Sequence, residues 1–243
     1  MILNLDFTKE GPSMKTHWRN GNPWGVIHPD FPYQYNAEYC VGYKKGVGLS
    51  LKCQRVDSVE VTGPNGVVYY PDCAMGLVSS KFHFKYGRLD VEAIMPKGKG
   101  LWPAIWTTAF DSWPPEIDIV EAYSEDRDNY GNFLIPGIRL QSNVHYREDG
   151  SNKHIGGRNH WVWKNPAKHK IKYSMVWAAD RIEIFYNDCK VRSIDDPKIL
   201  ADFNASSGQY IVLNNGIQPE KWDGKNSEFI ISSLRLETDR LIW

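Results

Sequence analysis

Short runs in which apolar and polar residues alternate recur along almost the whole chain, and this period constrains the fold more than any other feature. A strand sends successive side chains to opposite faces, so strict alternation marks a half-buried strand. Such runs occupy 48–55 (GLSLKCQR), 57–62 (DSVEVT), 77–84 (LVSSKFHF), 88–95 (RLDVEAIM), 171–177 (IKYSMVW), 181–187 (RIEIFYN) and 228–236 (EFIISSLRL). Turn residues separate them at Gly63-Pro64-Asn65-Gly66, Tyr86-Gly87, Pro96-Lys97-Gly98 and Ala179-Asp180. No long stretch sustains a helical period, and the best helical candidate runs only from Pro197 to Phe203. Many short strands at this spacing predict an all-β antiparallel sandwich or barrel. A chain of 243 residues can bury one core and is short for two, so a single domain over 1–243 is expected. Residues 12–39, 124–137 and 147–166 lack alternation and read as loops. Their Trp and Tyr content favours binding loops over disorder.

Charge narrows the partners. The 29 basic and 29 acidic residues cancel, and no basic stripe marks a nucleic-acid or membrane-surface partner. No apolar run reaches the ~20 residues of a membrane-spanning helix. Ten Trp, thirteen Tyr and nine Phe make 13% of the chain. Aromatic residues suit a β-core, and they equally suit a cleft whose rings cover the apolar faces of sugars. The cysteines at 40, 53, 73 and 189 show no C-x-x-C spacing, which speaks against a zinc site or a disulfide framework. One bridge, Cys40 with Cys53, would close a short loop, and buried free thiols are the alternative. The start, MILNLDFTKEG, lacks the pattern of a secretory signal, so the protein is either not exported or a mature chain with an added Met.

The segment 113–123, WPPEIDIVEAY, places Glu116, Asp118 and Glu121 inside an otherwise apolar run. An isolated buried carboxylate is costly unless it is paired or used, which points to function; an edge strand with one polar face is the plainer alternative. Pro114 and Pro115 suit the start of a strand. In a regular strand Glu116 and Asp118 share a face and Glu121 points to the other. One β-bulge between Ile119 and Glu121 would return Glu121 to the first face. The Cα atoms of the two glutamates would then lie roughly 13–16 Å apart at ~3.3 Å per residue, and their long side chains must lean together.

The stretch from Gly76 to Tyr123 resembles glycoside hydrolase family 16. The matching blocks are YGRLDVEA at 86–93, PKGKGLWPAIW at 96–106 and EIDIVE at 116–121, which fits the family's bulged E-x-D-x-x-E signature. Downstream, NVHY at 143–146 and HKIKYSMVWAADRIEIFYND at 169–188 resemble further blocks of the family, so the resemblance covers about 76–237. It implies an antiparallel jelly-roll sandwich of concanavalin type with a concave substrate cleft. It further implies a secreted, periplasmic or cell-surface endo-acting hydrolase of a β-linked polysaccharide, a β-1,3-glucan or an algal galactan, acting as a monomer with retention of configuration. A transglycosylase and a non-catalytic lectin-like module on the same scaffold are the alternatives.

The same resemblance makes Glu116 the nucleophile and Glu121 the general acid/base, with Asp118 and His145 as their partners. Two carboxylates in these roles are what a retaining glycosidase needs. Trp102, Trp106, Trp113 and Arg88 are candidates for sugar contact, with Asn22 and Trp24 on the far cleft wall. Arg127, Arg139, Arg147 and Arg158, in or near the loops, would suit a sulfated galactan. No cofactor is needed for the chemistry. A structural calcium, to which the family often contributes an aspartate from its closing strand, is doubtful because Ser232 stands at that position in ISSLRLE.

Overall fold

A computed structural model describes residues 1–9, 13–124, 138–156, 159–160 and 162–243. Among them the strands form two ten-stranded sheets stacked face to face. One runs through Cys189–Ile194, Arg181–Tyr186, Ile171–Ala178, Gly87–Ile94, Ser227–Glu237, Gly48–Arg55, Cys73–Met75 and Gln34–Asn36, with Ile2–Asp6 and Val41–Lys44 alongside. The other runs through Ser151–Ile155, Ile138–Glu148, Glu116–Ser124, Leu101–Ala109, Gln209–Ile217, His83–Lys85 and Arg240–Ile242; Trp18–Asn20, Leu77–Ser80 and Asn159–His160 join it at the side. The pairings are antiparallel, except that Gln34–Asn36 runs parallel to Cys73–Met75. The second sheet presents the acidic segment on its outer face, and we call it the concave sheet after the cleft that the family resemblance implies.

Alternation explains the stacking. Along Arg181–Tyr186, Ile182, Ile184 and Tyr186 are buried while Arg181 is exposed. Leu89, Val91 and Ala93 in Gly87–Ile94 likewise point inward. They meet Ile105, Ile117, Ile119, Val120, Ile211 and Leu213 of the concave sheet in one core. Trp177 of one sheet stands edge-on to Phe84 of the other at 5.9 Å, a favourable arrangement for two aromatic rings. Burying each large apolar side chain contributes about 1.5–3 kcal/mol, so this shared core holds the sheets together.

Several elements depart from the sequence reading. The expected strand 57–62 is only Val61–Thr62, hairpinned to Val68–Tyr69 around the Gly63–Gly66 turn and paired to neither large sheet. The run 77–84 breaks in two at Lys81 and Phe82. The presumed loop 12–39 carries a helical turn at Ser13–His17 and strands at Trp18–Asn20 and Gln34–Asn36, and Ser151–Ile155 is a strand within 147–166. The helix extends over Pro197–Ala205; Asp196 caps it by accepting from Lys198 N at 2.9 Å, and proline opens its first turn. Its buried Ile199, Leu200 and Phe203 dock it on the core. The cysteines are free thiols. Cys53 lies with its Sγ 3.5 Å from that of Cys73 rather than joined to Cys40, because Cys53 and Cys73 sit diagonally on paired strands.

The acidic strand, Glu116–Ser124, holds one surplus residue. Against Leu101–Ala109 the register steps from Val120 opposite Ile105 to Asp118 opposite Trp106, leaving Ile119 without a counterpart. Against Ile138–Glu148 it likewise steps from Asp118 opposite Asn143 to Glu121 opposite Gln141. Ile119 and Val120 are both fully buried, so two successive residues face the core. From the opposite sheet, Tyr186 aims its hydroxyl at the carbonyls of Ile119 (3.0 Å) and Gln141 (3.1 Å), bracing the bulge from inside. Tyr186→Phe leaves buried carbonyls short of a donor; we expect a loss of about 1–3 kcal/mol in urea unfolding with an unchanged m-value. A stability equal to wild type would show that the hydroxyl braces nothing.

Candidate active site

The bulge decides which side chains meet. Ile117, Ile119, Val120 and Ala122 point into the core, while Glu116, Asp118 and Glu121 share the outer face of the concave sheet. The neighbouring strand, Ile138–Glu148, pairs His145 with Glu116 and Asn143 with Asp118. Directly paired residues on one face of an antiparallel ladder are close neighbours. His145 Nε2 accordingly stands 3.3 Å from Asp118 Oδ2 and 3.7 Å from Glu116 Oε1. Donor atoms of Glu116, Asp118 and His145 all lie within 4.8 Å of one another, close enough to share a cation or a proton.

The two glutamates are held differently. Glu116 accepts from Trp113 Nε1 at 3.0 Å and hydrogen-bonds Asp118. Its carboxyl is raised well above the ordinary range, first by burial and then by the Asp118 charge; His145 and the Trp113 N–H oppose the rise. Asp118, with only 6% of its side chain exposed, is also raised well above its ordinary range, by burial and by the charge of Glu121. Glu121 sits among donors from three places: Trp102 Nε1 at 2.7 Å and Tyr123 OH at 2.9 Å reach Oε1, and Asn143 Nδ2 bonds Oε2.

Aromatic rings border these groups. Trp102 stacks on Tyr123 at 5.7 Å and meets Phe31 edge-on at 5.3 Å. Trp106, anchored by its Nε1 to Asn214 Oδ1 at 2.8 Å, lies 6.5 Å from Trp24. Trp113 is half exposed and its ring lies 5.8 Å from that of His145. Asn22 is buried and joins Gly25 by two backbone hydrogen bonds, closing the turn that presents Trp24. It serves as a brace for that wall.

Arg88 is a correction. It lies on Gly87–Ile94, in the sheet opposite the acidic strand, where Asp90 (2.8 Å) and Asp188 (3.8 Å) engage it. A charged residue just past a turn glycine reads the same from sequence whether it faces substrate or braces an edge, and here it braces. Arg147 donates to the carbonyl of Trp113 at 2.9 Å and so supports the site. Arg127, Arg158 and the side chain of Arg139 lie outside the described residues. Ser232 donates to Glu92 O at 3.1 Å; this neutral hydroxyl does not fit the role of a calcium-ligating aspartate.

Sequence reasoning missed Asn143, Tyr123 and Phe31. Asn143 carried a legible signal: in NVHY it sits two residues before His145 and so shares its face. Tyr123 carried the same signal relative to Glu121. Phe31 came from a loop with no period to read.

Residues 35–232 match the model of glycosyl hydrolases family 16. Endo-1,3-1,4-beta-glycanase EglC of Rhizobium meliloti is 30% identical over 124 residues, 51% of this chain and 24% of the relative. Keratan-sulfate endo-1,4-beta-galactosidase of Sphingobacterium multivorum is 28% identical over 203 residues, covering 77% and 41%. The chain thus spans only about a quarter to two fifths of these relatives. The crystal structure of LamAcat from Zobellia galactanivorans superposes with a TM-score of 0.74 at 21% identity, covering 97% of this chain and 96% of that one. The bulged acidic strand and the two-sheet fold thus coincide with a match over most of the sequence: the chain belongs to glycosyl hydrolases family 16.

Proposed function

We propose that the protein is a retaining endo-glycoside hydrolase of a β-linked polysaccharide, a β-1,3-glucan or a galactan, with Glu116 as nucleophile and Glu121 as acid/base. The observation that carries this reading is the bulge, which brings two carboxylates, each with its own hydrogen-bond donors, to one open face among aromatic rings. In the first step Glu116 Oε attacks the anomeric carbon, and the glycosidic C–O bond breaks as Glu121 gives its proton to the leaving oxygen. Water then enters on the freed side, loses a proton to Glu121 and releases the sugar from Glu116. Two inversions leave the configuration retained.

The surroundings suit these roles. A hydrogen bond with Asp118 orients the Glu116 carboxyl, while the Trp113 N–H favours the ionised form that attacks. Trp102, Tyr123 and Asn143 stabilise the Glu121 carboxylate left when its proton has moved to the leaving group. Trp102, Trp106 and Trp24 offer rings for sugar faces. A polymeric substrate suits a protein acting outside the cytoplasm, and no helix among the described residues is long and apolar enough to cross a membrane.

Glu116→Gln is expected to lower turnover by about 10⁴-fold or more and Glu121→Gln by ~10²–10⁴-fold, with oligosaccharide binding kept. Azide allots the roles: the Glu116→Ala protein should yield a glycosyl azide of inverted configuration and the Glu121→Ala protein one of retained configuration. The reverse pattern would swap them, and wild-type turnover in Glu116→Gln would end the proposal.

Because Glu116 must be ionised to attack and its carboxyl is raised, the acid limb of kcat/KM should lie above the ordinary glutamate value of about 4.3. Trp113→Phe removes a donor to the ionised form and should move that limb to still higher pH. A limb that stays in place would remove Trp113 from the site's electrostatics.

The native Asp118 carboxyl, raised above its unfolded value of about 3.9, holds a proton that the unfolded chain has lost. Its contribution to stability is therefore full below pH ~4 and is lost as pH rises through the native value. Asp118→Asn should consequently raise Tm at pH 7, with the gain vanishing towards pH 4, while slowing hydrolysis. A Tm at pH 7 no higher than wild type would contradict the raised Asp118 carboxyl.

A further inference from the structure

The concave sheet carries a second chemical feature that the proposed reaction does not use. Glu116 pairs with Thr108, and Thr108 with Tyr210, so Tyr210 lies on the same face as the carboxylates. On the next strand Phe84 turns into the core, which sends His83 and Lys85 to the outer face. The edge strand repeats the pattern: Leu241 packs on the core, and Ile242 and Arg240 pair with His83 and Lys85. These groups therefore stand two to four strands from Glu116, about 10–19 Å away at ~4.8 Å per strand.

Together they line a cavity of about 460 Å³. Its floor is aromatic: Phe110 stacks on His83 at 4.3 Å and 19°, Tyr210 lies 5.5 Å from Phe110, and Phe110 is half exposed. Its walls are cationic, formed by Lys81, Lys85 and Arg240. Lys81 Nζ donates to Lys15 O at 2.6 Å, and Lys85 Nζ to Asn204 O and Ser206 O at 2.7 and 2.9 Å; these partners are backbone carbonyls. Among the described residues none of the three cations has a carboxylate within salt-bridge distance. Asp111, nearby, accepts from Ser207 N at 3.1 Å. His83 is kept below its ordinary range by burial and by Arg240, so it serves at neutral pH as a hydrogen-bonding ring. In a chain of zero net charge, three cations without carboxylate partners gathered over a flat ring are a local arrangement. Lys and Arg side chains that lack a carboxylate partner can make charge-assisted hydrogen bonds to an anion.

We propose that this cavity is an accessory subsite for an anionic substituent, a sulfate ester or a uronate carboxylate, on a sugar residue a few units from the scissile bond. Phe110 covers the apolar face of that sugar, and Arg240, Lys81 and Lys85 take the charge. The proposal rests on the reading of the Glu116–Glu121 face as the hydrolytic cleft, and its test separates the two. Matched oligosaccharides of laminarin and of agarose, each neutral, O-sulfated or oxidised at C6 to the uronate, are titrated calorimetrically into Glu116→Gln protein. The sulfated or the oxidised member should bind about tenfold tighter than its neutral parent, as expected for hydrogen bonds to a charged group. Whichever member gains identifies the anion. The gain should vanish at 1 M salt and in the Lys81→Gln/Arg240→Gln double variant, whose affinity for the neutral parent should stay within twofold of the single variant. Equal affinity across every set, or a preference that survives in the double variant, overturns the subsite. A charge preference that the double variant removes, in a wild-type protein that cleaves none of the sugars, overturns the hydrolytic reading and leaves the subsite standing.

Discussion

Glu116 and Glu121 lie five positions apart, an odd step, so a regular strand would bury one whenever it exposed the other. The surplus Ile119 cancels that parity, and the opposite sheet keeps it in place. Ile119 and Val120 are buried side by side, and Tyr186 reaches across the core to the Ile119 carbonyl. Slipping the bulge by one residue would expose an apolar side chain or bury a carboxylate. Each exposed side chain would cost about 1.5–3 kcal/mol and an unpaired buried charge considerably more. The carboxylates' geometry is therefore enforced by apolar packing beneath them. Interactions among the acids themselves are repulsive and could not hold it.

That repulsion has to be absorbed locally. Three acids within six residues of one strand, two of them with carboxyls raised well above the ordinary range, would favour sharing protons over full ionisation. The neighbouring strand supplies the relief. Its register sets His145 against Glu116 and Asn143 against Asp118, and Asn143 then reaches diagonally to Glu121. Trp113 and Trp102 add one indole N–H to each glutamate. Donors from different elements give the two carboxyls, so close in sequence, separate hydrogen-bonding surroundings, which suits the proposed division between attack and proton delivery.

Much of this was legible in the sequence. The alternating runs located the main strands, because alternation follows directly from the pleat, and the odd spacing of the glutamates already demanded a bulge. Asn143 was readable by the same parity. Arg88 was not, because a residue on a known strand still leaves open which sheet and which surface it joins; that depends on pairings between Gly87–Ile94, Ile171–Ala178 and Ser227–Glu237, far apart in the chain. The segment 12–39 hid its strands for a related reason. Trp18–Asn20 is three residues long and paired to Leu77–Ser80, so no period has room to appear. Phe31 and Trp24 owe their positions to turns in that segment and to contacts with Trp102 and Trp106.

The two ends of the acidic strand face different chemistry. At the Glu121 end, Trp102, Tyr123 and Phe31 form a neutral aromatic wall. In the row of Glu116, across Thr108 and Tyr210, the same sheet face becomes aromatic and cationic. A polysaccharide has direction, and the attack geometry fixes which sugar lies over the nucleophile. A cleft whose two sides offered equivalent rings would distinguish a reversed chain only through the reacting groups. With the proposed subsite in the cleft, reversal would also exchange a neutral contact for a charged one, so for an anionic chain binding along the whole cleft would favour the orientation in which the anomeric carbon meets the proposed nucleophile, Glu116.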